Sequence, residues 1–585
     1  MYLLPLFLLA AGLNILLGMG AWPSVLAGNL QDPDSYMRLL RIEQGIRAGH
    51  LLTSVAGDQS GAGVMVEWSR LLDMLLWLMA APLTPFIGWH KALFAAGLAL
   101  GPLGVGFLGA VLAWAVEPFA LRRYLWSAAL AAAVLPGIVT IAVPGVVHYH
   151  VLLLAMIALT AGFTARAWRD NSWAGFLAGL SGGFAIWLTP ETMPFVLMAY
   201  ASLLLRWFTT PNATVLFTTA AGCFDVLMVG LFIDPPAGGY FAPEVDRLSC
   251  VYAAMGLLFL AGASMLTRLP NRRWRGVAGF VVLAALFGVW VAIFPGVVLG
   301  PYGILPPNQA QAFFGVITEQ MPVHGRDAVM FLFPGAAALA YALWRGLRRH
   351  DRVRALLTPE MLKPRGDGRV IWLYLALCGA VALVLGAKFL LFVGFSTIFA
   401  AAMLPVALSQ ASVGLAEKPL FASLARVGLL ALVFGVPELA AIANASPKQT
   451  AATPVRNYPS CKLHNIAPLL AQAAGDVVLA GPEAAPELLY RTHVQTVGSL
   501  FHHGIAGYMR DRAAWRAVPG IAVPPEVTAT GAAYVLFCPS PARYLLVADL
   551  PKATLWDTLE AGTPPPWLSA AGRNAEGWTL YKITR

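Results

Sequence analysis

The chain has 585 residues, 58% of them hydrophobic and only 12% charged, with a mean hydropathy of +0.70, which excludes the soluble globular class, where roughly a quarter of residues carry charge. A formal charge of +10, from 39 Lys and Arg against 29 Asp and Glu, does not make it a nucleic-acid binder. The cations stand in short clusters between apolar runs, as membrane topology requires, and no nucleic-acid module or solenoid-like repeat is present.

Residues 1–27 lack a basic n-region, and their apolar stretch outruns the roughly 7–15 residues of a signal-peptide core, so they read as a retained first span. Further runs long enough to span lie near 92–115, 124–143, 151–167, 173–189, 191–208, 213–233, 250–267, 277–297, 327–345, 371–387, 389–408 and 425–443. The expectation is therefore a mainly α protein, a polytopic bundle of about thirteen transmembrane helices. Alternate loops carry Arg122/Arg123, Arg166/Arg169, Arg206, Arg268 to Arg275, Arg345 to Arg354, then Lys363, Arg365, Arg369 and Lys418. By the positive-inside rule these loops and the N-terminus are cytoplasmic. An odd number of spans then puts residues 446–585 outside, as a periplasmic α/β domain behind the membrane domain 1–445. Strands are expected there at DVVLAG, AAYVLFC, RYLLVADL and WTLYKI, with helical pieces at 463–474 and 483–491.

Two outer loops are long, 28–91 and 298–326, and long loops in a compact protein are more often functional than decorative. The first opens with Asp32-Pro33-Asp34-Ser35-Tyr36-Met37-Arg38 and continues as an amphipathic helix; a second helix is expected over EWSRLLDMLLWLMA. Carboxylates at 32 and 34 suit Mg²⁺ or Mn²⁺; Asp32 before Pro33 equally suits a helix cap. His148-Tyr149-His150 follows Pro144-Gly145, and the two histidines converge on a cation or phosphate only where the backbone is extended; the other reading is an interfacial anchor. Val316-Ile317-Thr318-Glu319-Gln320 supplies an acid in the second long loop. Lys388 ends a span where it either snorkels or meets a phosphate, and Asp225 is an intramembrane acid. In the tail, Glu483, Glu487, Tyr490, Arg491, His493, His502 and His503 cluster, as a substrate contact or as a solvated edge. Cys461 and Cys538 are either bridged or two free thiols.

In this order and on one face, these motifs resemble the catalytic subunit of oligosaccharyltransferases and their bacterial relatives, glycosyltransferases of the GT-C fold. Asp32-Pro33-x-x-x-x-Arg38 matches the family's DPxxxxR, whose Asp is a metal ligand. Val316 to Gln320 looks like its TIxE or SVSEHQ motif, whose Glu helps hold metal and acceptor. His148 and His150 stand where it has Gly-x-x-Asp-x-Asp, and Lys388 where it carries an Arg for the donor pyrophosphate. The resemblance implies catalysis by Asp32, Asp34 and Glu319, and a divalent metal (Mn²⁺ or Mg²⁺) on Asp32, His148, His150 and Glu319. Of the expected substrate contacts, Lys388 stands where the resemblance puts the pyrophosphate cation and Arg38 adds charge beside it, while Tyr490, Arg491, His502 and His503 come from the tail cluster read above. The WWDYG motif that reads an Asn sequon is missing, with residues 478–491 in its place. The expected function is transfer of a sugar or oligosaccharide from a polyprenyl-(pyro)phosphate donor in the lipids of a bacterial inner membrane to a glycan, lipid or secreted-protein acceptor. The alternative is a lipid-linked sugar transporter with Asp225 and Lys388 along its path.

Overall fold

The computed structural model describes residues 2–169, 171–209, 213–269, 274–300, 303–347, 369–445, 458–540, 546–547, 549–551 and 553–584. Among them, 10 helices are long and apolar enough to cross a membrane, from Leu3–Gly20 to Pro419–Asn444. Three of the expected runs fall outside that set. Two are helices of 17 residues, Ser172–Leu188 and Met193–Thr209. The run at 124–143 is broken: Trp126–Val134 stops at Leu135, which is extended (φ −66°, ψ 133°), and a short helix Pro136–Val139 follows. Proline disfavours helical backbone in the residue before it, which breaks the run at this point.

The bundle packs through small residues. A Cβ on Gly179 of Ser172–Leu188 would stand 1.9 Å from the Thr219 carbonyl, and one on Gly222 of Thr214–Ile233 would stand 2.2 Å from that of Phe176. These helices touch backbone to backbone, the mode available where lipid removes the hydrophobic drive between helices. Helix Val393–Gly414 runs through the middle of the bundle, with Phe395 stacked on Phe195 at 4.5 Å. The N-terminus and the first basic loops share one end of the bundle: Arg122 lies 5.5 Å over the Tyr2 ring, and Arg166 donates to the Trp114 carbonyl at 2.7 Å. Arg272, Arg273 and the cations from Arg348 to Arg365 lie outside the described residues.

The opposite end carries the loops and the C-terminal domain. The first loop forms a helix, Pro33–Ala48, started by Asp32 and stopped at Gly49 (φ 75°), then a hairpin of β1 (Ser54–Val55) and β2 (Val64–Met65), then helix Leu71–Ala80. The C-terminal domain is a mixed sheet of β3 (Val477–Leu479), β4 (Gln495–Thr496), β5 (Tyr534–Phe537), β6 (Leu568–Arg573) and β7 (Thr579–Ile583), in the order β4-β3-β5-β7-β6. Only β4–β3 and β3–β5 pair in parallel. Trp515 of helix Ile505–Arg516 fills the core on one face, Leu470 and Leu488 on the other. Half of the strand expected over 543–550 lies outside the described residues, and the described half, Leu546, Val547, Asp549 and Leu550, forms no strand. The junction expected at 445/446 also falls outside them. Cys461 and Cys538 are bridged, with Cα atoms 5.9 Å apart.

The domain is seated on both long loops. Buried Asp58 accepts from Thr496 (2.9 Å) and Ser499, Gln59 donates to the Gly504 carbonyl (2.7 Å), and Tyr508 donates to the Ala312 carbonyl (3.0 Å) beside Phe313 of helix Pro307–Phe314.

Candidate active site

Asp32 does two jobs. It caps Pro33–Ala48, accepting from the Ser35 amide (2.8 Å) and hydroxyl (2.8 Å), and it contacts His148 Nε2 at 2.9 Å. Ser35 Oγ in turn accepts from the Val147 amide at 2.8 Å, so the cap holds the histidine segment in place. That segment is non-helical from Val146 to Tyr149, after Gly145 in the left-handed region (φ 92°). His148 and His150 consequently turn the same way, with ring centroids 5.2 Å apart.

Glu319 sits in the turn Thr318–Gln320 with its side chain accessible. The chain beyond it pairs with the end of helix Arg369–Lys388: Val323 donates to the Ala387 carbonyl (3.1 Å), and Leu390 to that of Met321 (3.0 Å). Exposed Lys388 thereby lies beside the loop that carries Glu319.

Electrostatics tie these groups together. Burial would lower the affinity of His148 for its proton, but the charges of Asp32, Asp34 and Glu319 and the hydrogen bond to Asp32 raise its pKa to about 9. Burial would likewise raise Asp32, yet His148 and the Ser35 bonds hold its carboxyl below the usual range. Asp34 is pushed up to about 7, by burial first, with His148 opposing and Asp32, Glu319 and Glu67 adding to the rise. Glu191 also rises to about 7, through burial and then the charges of Glu319 and Glu67. Asp32, Asp34, Glu67, Glu191 and Glu319 thus form one group of mutually interacting charges, with His148 the counter-charge in contact with Asp32.

The other expected residues surround this group with different duties. Arg38 is buried; it pairs with Asp73 (3.1 Å), which also holds Arg41 (2.7 Å), and it stacks 4.4 Å over Trp68. Arg491 ties the C-terminal domain to the first loop, donating to the Gly28 carbonyl (2.9 Å), Asn29 (3.0 Å) and Tyr36 (2.8 Å) and pairing with Glu487 (2.6 Å). Tyr490 stacks on His90 and packs on Tyr36. Arg491→Ala should therefore loosen this seat; limited proteolysis should cut between the membrane and C-terminal domains sooner than in wild type, and an unchanged pattern would contradict the docking role. His502 and His503 both reach Asp246, Nε2 to Oδ2 2.7 Å in each case. Asp225 is exposed on the outside of Thr214–Ile233 and, among the described residues, pairs with no member of the Asp32–Glu319 group.

Sequence reading missed Glu67, Asp73, Glu191, Asp234 and Asp246. Asp234 is a hub: buried, it accepts from Ser69 Oγ (3.0 Å), the Arg70 amide (2.9 Å) and Nε (2.5 Å), Trp187 Nε1 (3.0 Å) and Arg247 (2.8 Å). The Pro-Glu after Ser172–Leu188 and the acids of 234–246, at the same end of the bundle as the long loops, were the signals available.

A bundle of membrane helices with a group of acids at one end, covered by two long loops and a C-terminal mixed domain, is a fold that the chain shares with solved oligosaccharyltransferases. Among solved structures, it is similar to the archaeal oligosaccharyltransferase AglB from Archaeoglobus fulgidus in complex with an inhibitory peptide and a dolichol-phosphate. That match has a TM-score of 0.66 at 12% identity, over 92% of this chain and 69% of that one. The apo form of the Archaeoglobus fulgidus oligosaccharyltransferase matches with a TM-score of 0.66 at 14% identity, over 100% and 74%. Its complex with Zn and sulfate matches with a TM-score of 0.63 at 12% identity, over 99% and 73%. At these identities the likeness is one of fold. No family model and no curated protein sequence matches the chain.

Proposed function

We propose that the chain is a membrane glycosyltransferase that moves a sugar or oligosaccharide from a polyprenyl-phosphate or polyprenyl-pyrophosphate donor to an acceptor on the side where the C-terminal domain lies. The observation that carries this reading is the 2.9 Å contact between Asp32 and His148, with Asp34 and Glu319, the latter from a third stretch of chain, near enough for their charges to act on the same histidine. A prenyl tail must lie in the bilayer while its phosphate and sugar protrude, and a site at the bundle's end satisfies both demands. We assign that end to the periplasmic face of a bacterial inner membrane, because the basic loops gather at the other end. The AglB fold in complex with dolichol-phosphate supports a lipid-linked donor.

This group of acids suits a divalent cation. Several carboxylates crowd into it, and Glu67 Oε2 and His150 Nδ1 are buried without hydrogen-bond partners. Asp32 and Glu319, with His148 and His150, would hold Mn²⁺ or Mg²⁺, which would neutralise charge on the departing phosphate; the likeness in fold to the Archaeoglobus fulgidus oligosaccharyltransferase in complex with Zn and sulfate supports a metal of some kind. Lys388 adds an accessible cation beside Glu319's loop, whereas Arg38 is held by Asp73 and acts on the group through its field. Asp34 and Glu319 supply carboxylates to receive the acceptor's proton. Where the family carries its sequon reader, this chain runs from β3 into helix Ala485–Arg491, whose Tyr490 and Arg491 are engaged with the first loop. We therefore infer an acceptor other than an Asn sequon: a glycan, a lipid or a hydroxyl of a secreted protein.

The test is a proteoliposome assay with radiolabelled polyprenyl-phosphate sugar. Label covalently attached to a new product is the expected result; label that crosses the bilayer with its phosphate bond intact would replace this reading with transport.

A further inference from the structure

We propose that Asp246, His502 and His503 form a second metal site, for zinc or a similar borderline cation, that fastens the C-terminal domain to the membrane bundle. One ligand atom from each lies within 4.8 Å of the others. Asp246 belongs to the loop between Thr214–Ile233 and Cys250–Arg268, and the histidines to the turn His502–Gly504 of the C-terminal domain. The site is therefore built from two parts of the molecule.

Three observations point to a cation. First, two imidazole Nε2 atoms converge on a single carboxylate oxygen, Asp246 Oδ2, at 2.7 Å each. Second, Asp246 is buried, its side chain only 4% exposed, and its other oxygen, Oδ1, has no hydrogen-bond partner, an atom left free to ligate. Third, the far nitrogen of His502, Nδ1, faces Glu67 Oε1 at 3.6 Å. An outer carboxylate behind a metal-binding histidine is the usual second partner in such sites; it fixes the ring and leaves Nε2 with its lone pair toward the ion. With its proton on Nδ1, on the Glu67 side, His502 presents an Nε2 lone pair to a cation beside Asp246; with its proton on Nε2 it donates to Asp246 Oδ2, so proton and metal compete for one position.

The supports on both sides are rigid. Arg247, next to Asp246, is fixed to the Asp234 hub at 2.8 Å. The histidine turn is held by Gln59 on the Gly504 carbonyl (2.7 Å) and by Phe501 against Trp68 at 5.1 Å. A tetrahedral ion with ligands at about 2.0–2.1 Å spaces its donor atoms by roughly 3.4 Å, so small side-chain adjustments admit it. Two histidines and a carboxylate with a fourth position open suit Zn²⁺ or its borderline neighbours better than Mg²⁺, which prefers oxygen. The site adjoins the Asp32–Glu319 cluster, with Glu67 between the two, but its three ligands are different residues, and the inference does not depend on sugar transfer.

The experiment uses full-length protein in detergent, stripped with a chelator and equilibrated with Zn²⁺, with bound metal counted per chain and thermal unfolding recorded with and without Zn²⁺. Asp246→Asn and His503→Gln are each expected to hold one equivalent less than wild type and to lose the Zn²⁺-dependent rise in unfolding temperature, while Glu319→Gln keeps both at this site. His503→Gln retains an amide donor toward Asp246, and unfolding without metal reports whether each variant is folded. Equal zinc content in wild type, Asp246→Asn and His503→Gln would overturn the proposal. Loss of transfer in Glu319→Gln with this equivalent retained would separate the two sites.

Discussion

Glu319→Gln and Asp32→Asn should each reduce sugar transfer by roughly a hundredfold to a thousandfold or more, at wild-type expression and fold. Each replacement keeps the shape of the side chain and removes one negative charge from a group of acids built to hold a cation against a leaving phosphate, a contribution of several kcal/mol in comparable sites. The choice at position 32 matters because Asp32 also caps helix Pro33–Ala48 through the Ser35 amide. Asparagine is as good a cap as aspartate, whereas alanine costs about 1 kcal/mol of helix stability. Asp32→Asn thus isolates the charge and Asp32→Ala adds the lost cap. If transfer rates measured in proteoliposomes stay at the wild-type level in both Glu319→Gln and Asp32→Asn, the active-site assignment is refuted.

The largest structural effect is expected at Asp234. Its carboxylate is 1% exposed and gathers five donors from the end of the first loop, the end of Ser172–Leu188 and the loop beyond Asp234 itself, two of those donor side chains being the guanidinium groups of Arg70 and Arg247. Asp234→Ala leaves those cations buried without their counter-ion. Breaking a buried pair from one side costs roughly 3–5 kcal/mol, because the orphaned charge has lost water and gained nothing. Detergent-solubilised Asp234→Ala should unfold at a markedly lower temperature and elute partly aggregated. Because Arg70 follows Glu67 and Arg247 follows Asp246, the same change should also weaken zinc retention at the Asp246 site. A thermal profile identical to wild type would show that the hub is dispensable.

Much of the membrane architecture is legible along the chain because lipid imposes it locally: a span needs about 20 apolar residues wherever it falls. The exceptions have local causes too, since Pro136 breaks the run at 124–143 and two other helices are only 17 residues long. The motifs at Asp32, His148 and Glu319 are visible for a related reason. Each stands out as an acid or a histidine beside a Pro, a Gly or a loop in an otherwise apolar chain. Strand β3 and the helix after it follow from alternation and an N-terminal proline, while β4, two residues long, carries no pattern that alternation could reveal.

Residue order alone specified the solvent each segment must meet, and therefore the spans, the loops and the end of the bundle to which the acids belong; hydropathy is a property each residue carries with it. Which polar groups face one another was settled by packing. Arg38 turns to Asp73, Arg491 clamps the first loop, and Asp246 meets two histidines some 256 positions further on. A buried charge takes whichever partner the fold brings within hydrogen-bonding reach, and reach between distant segments is a property of three-dimensional packing that no local pattern of residues encodes.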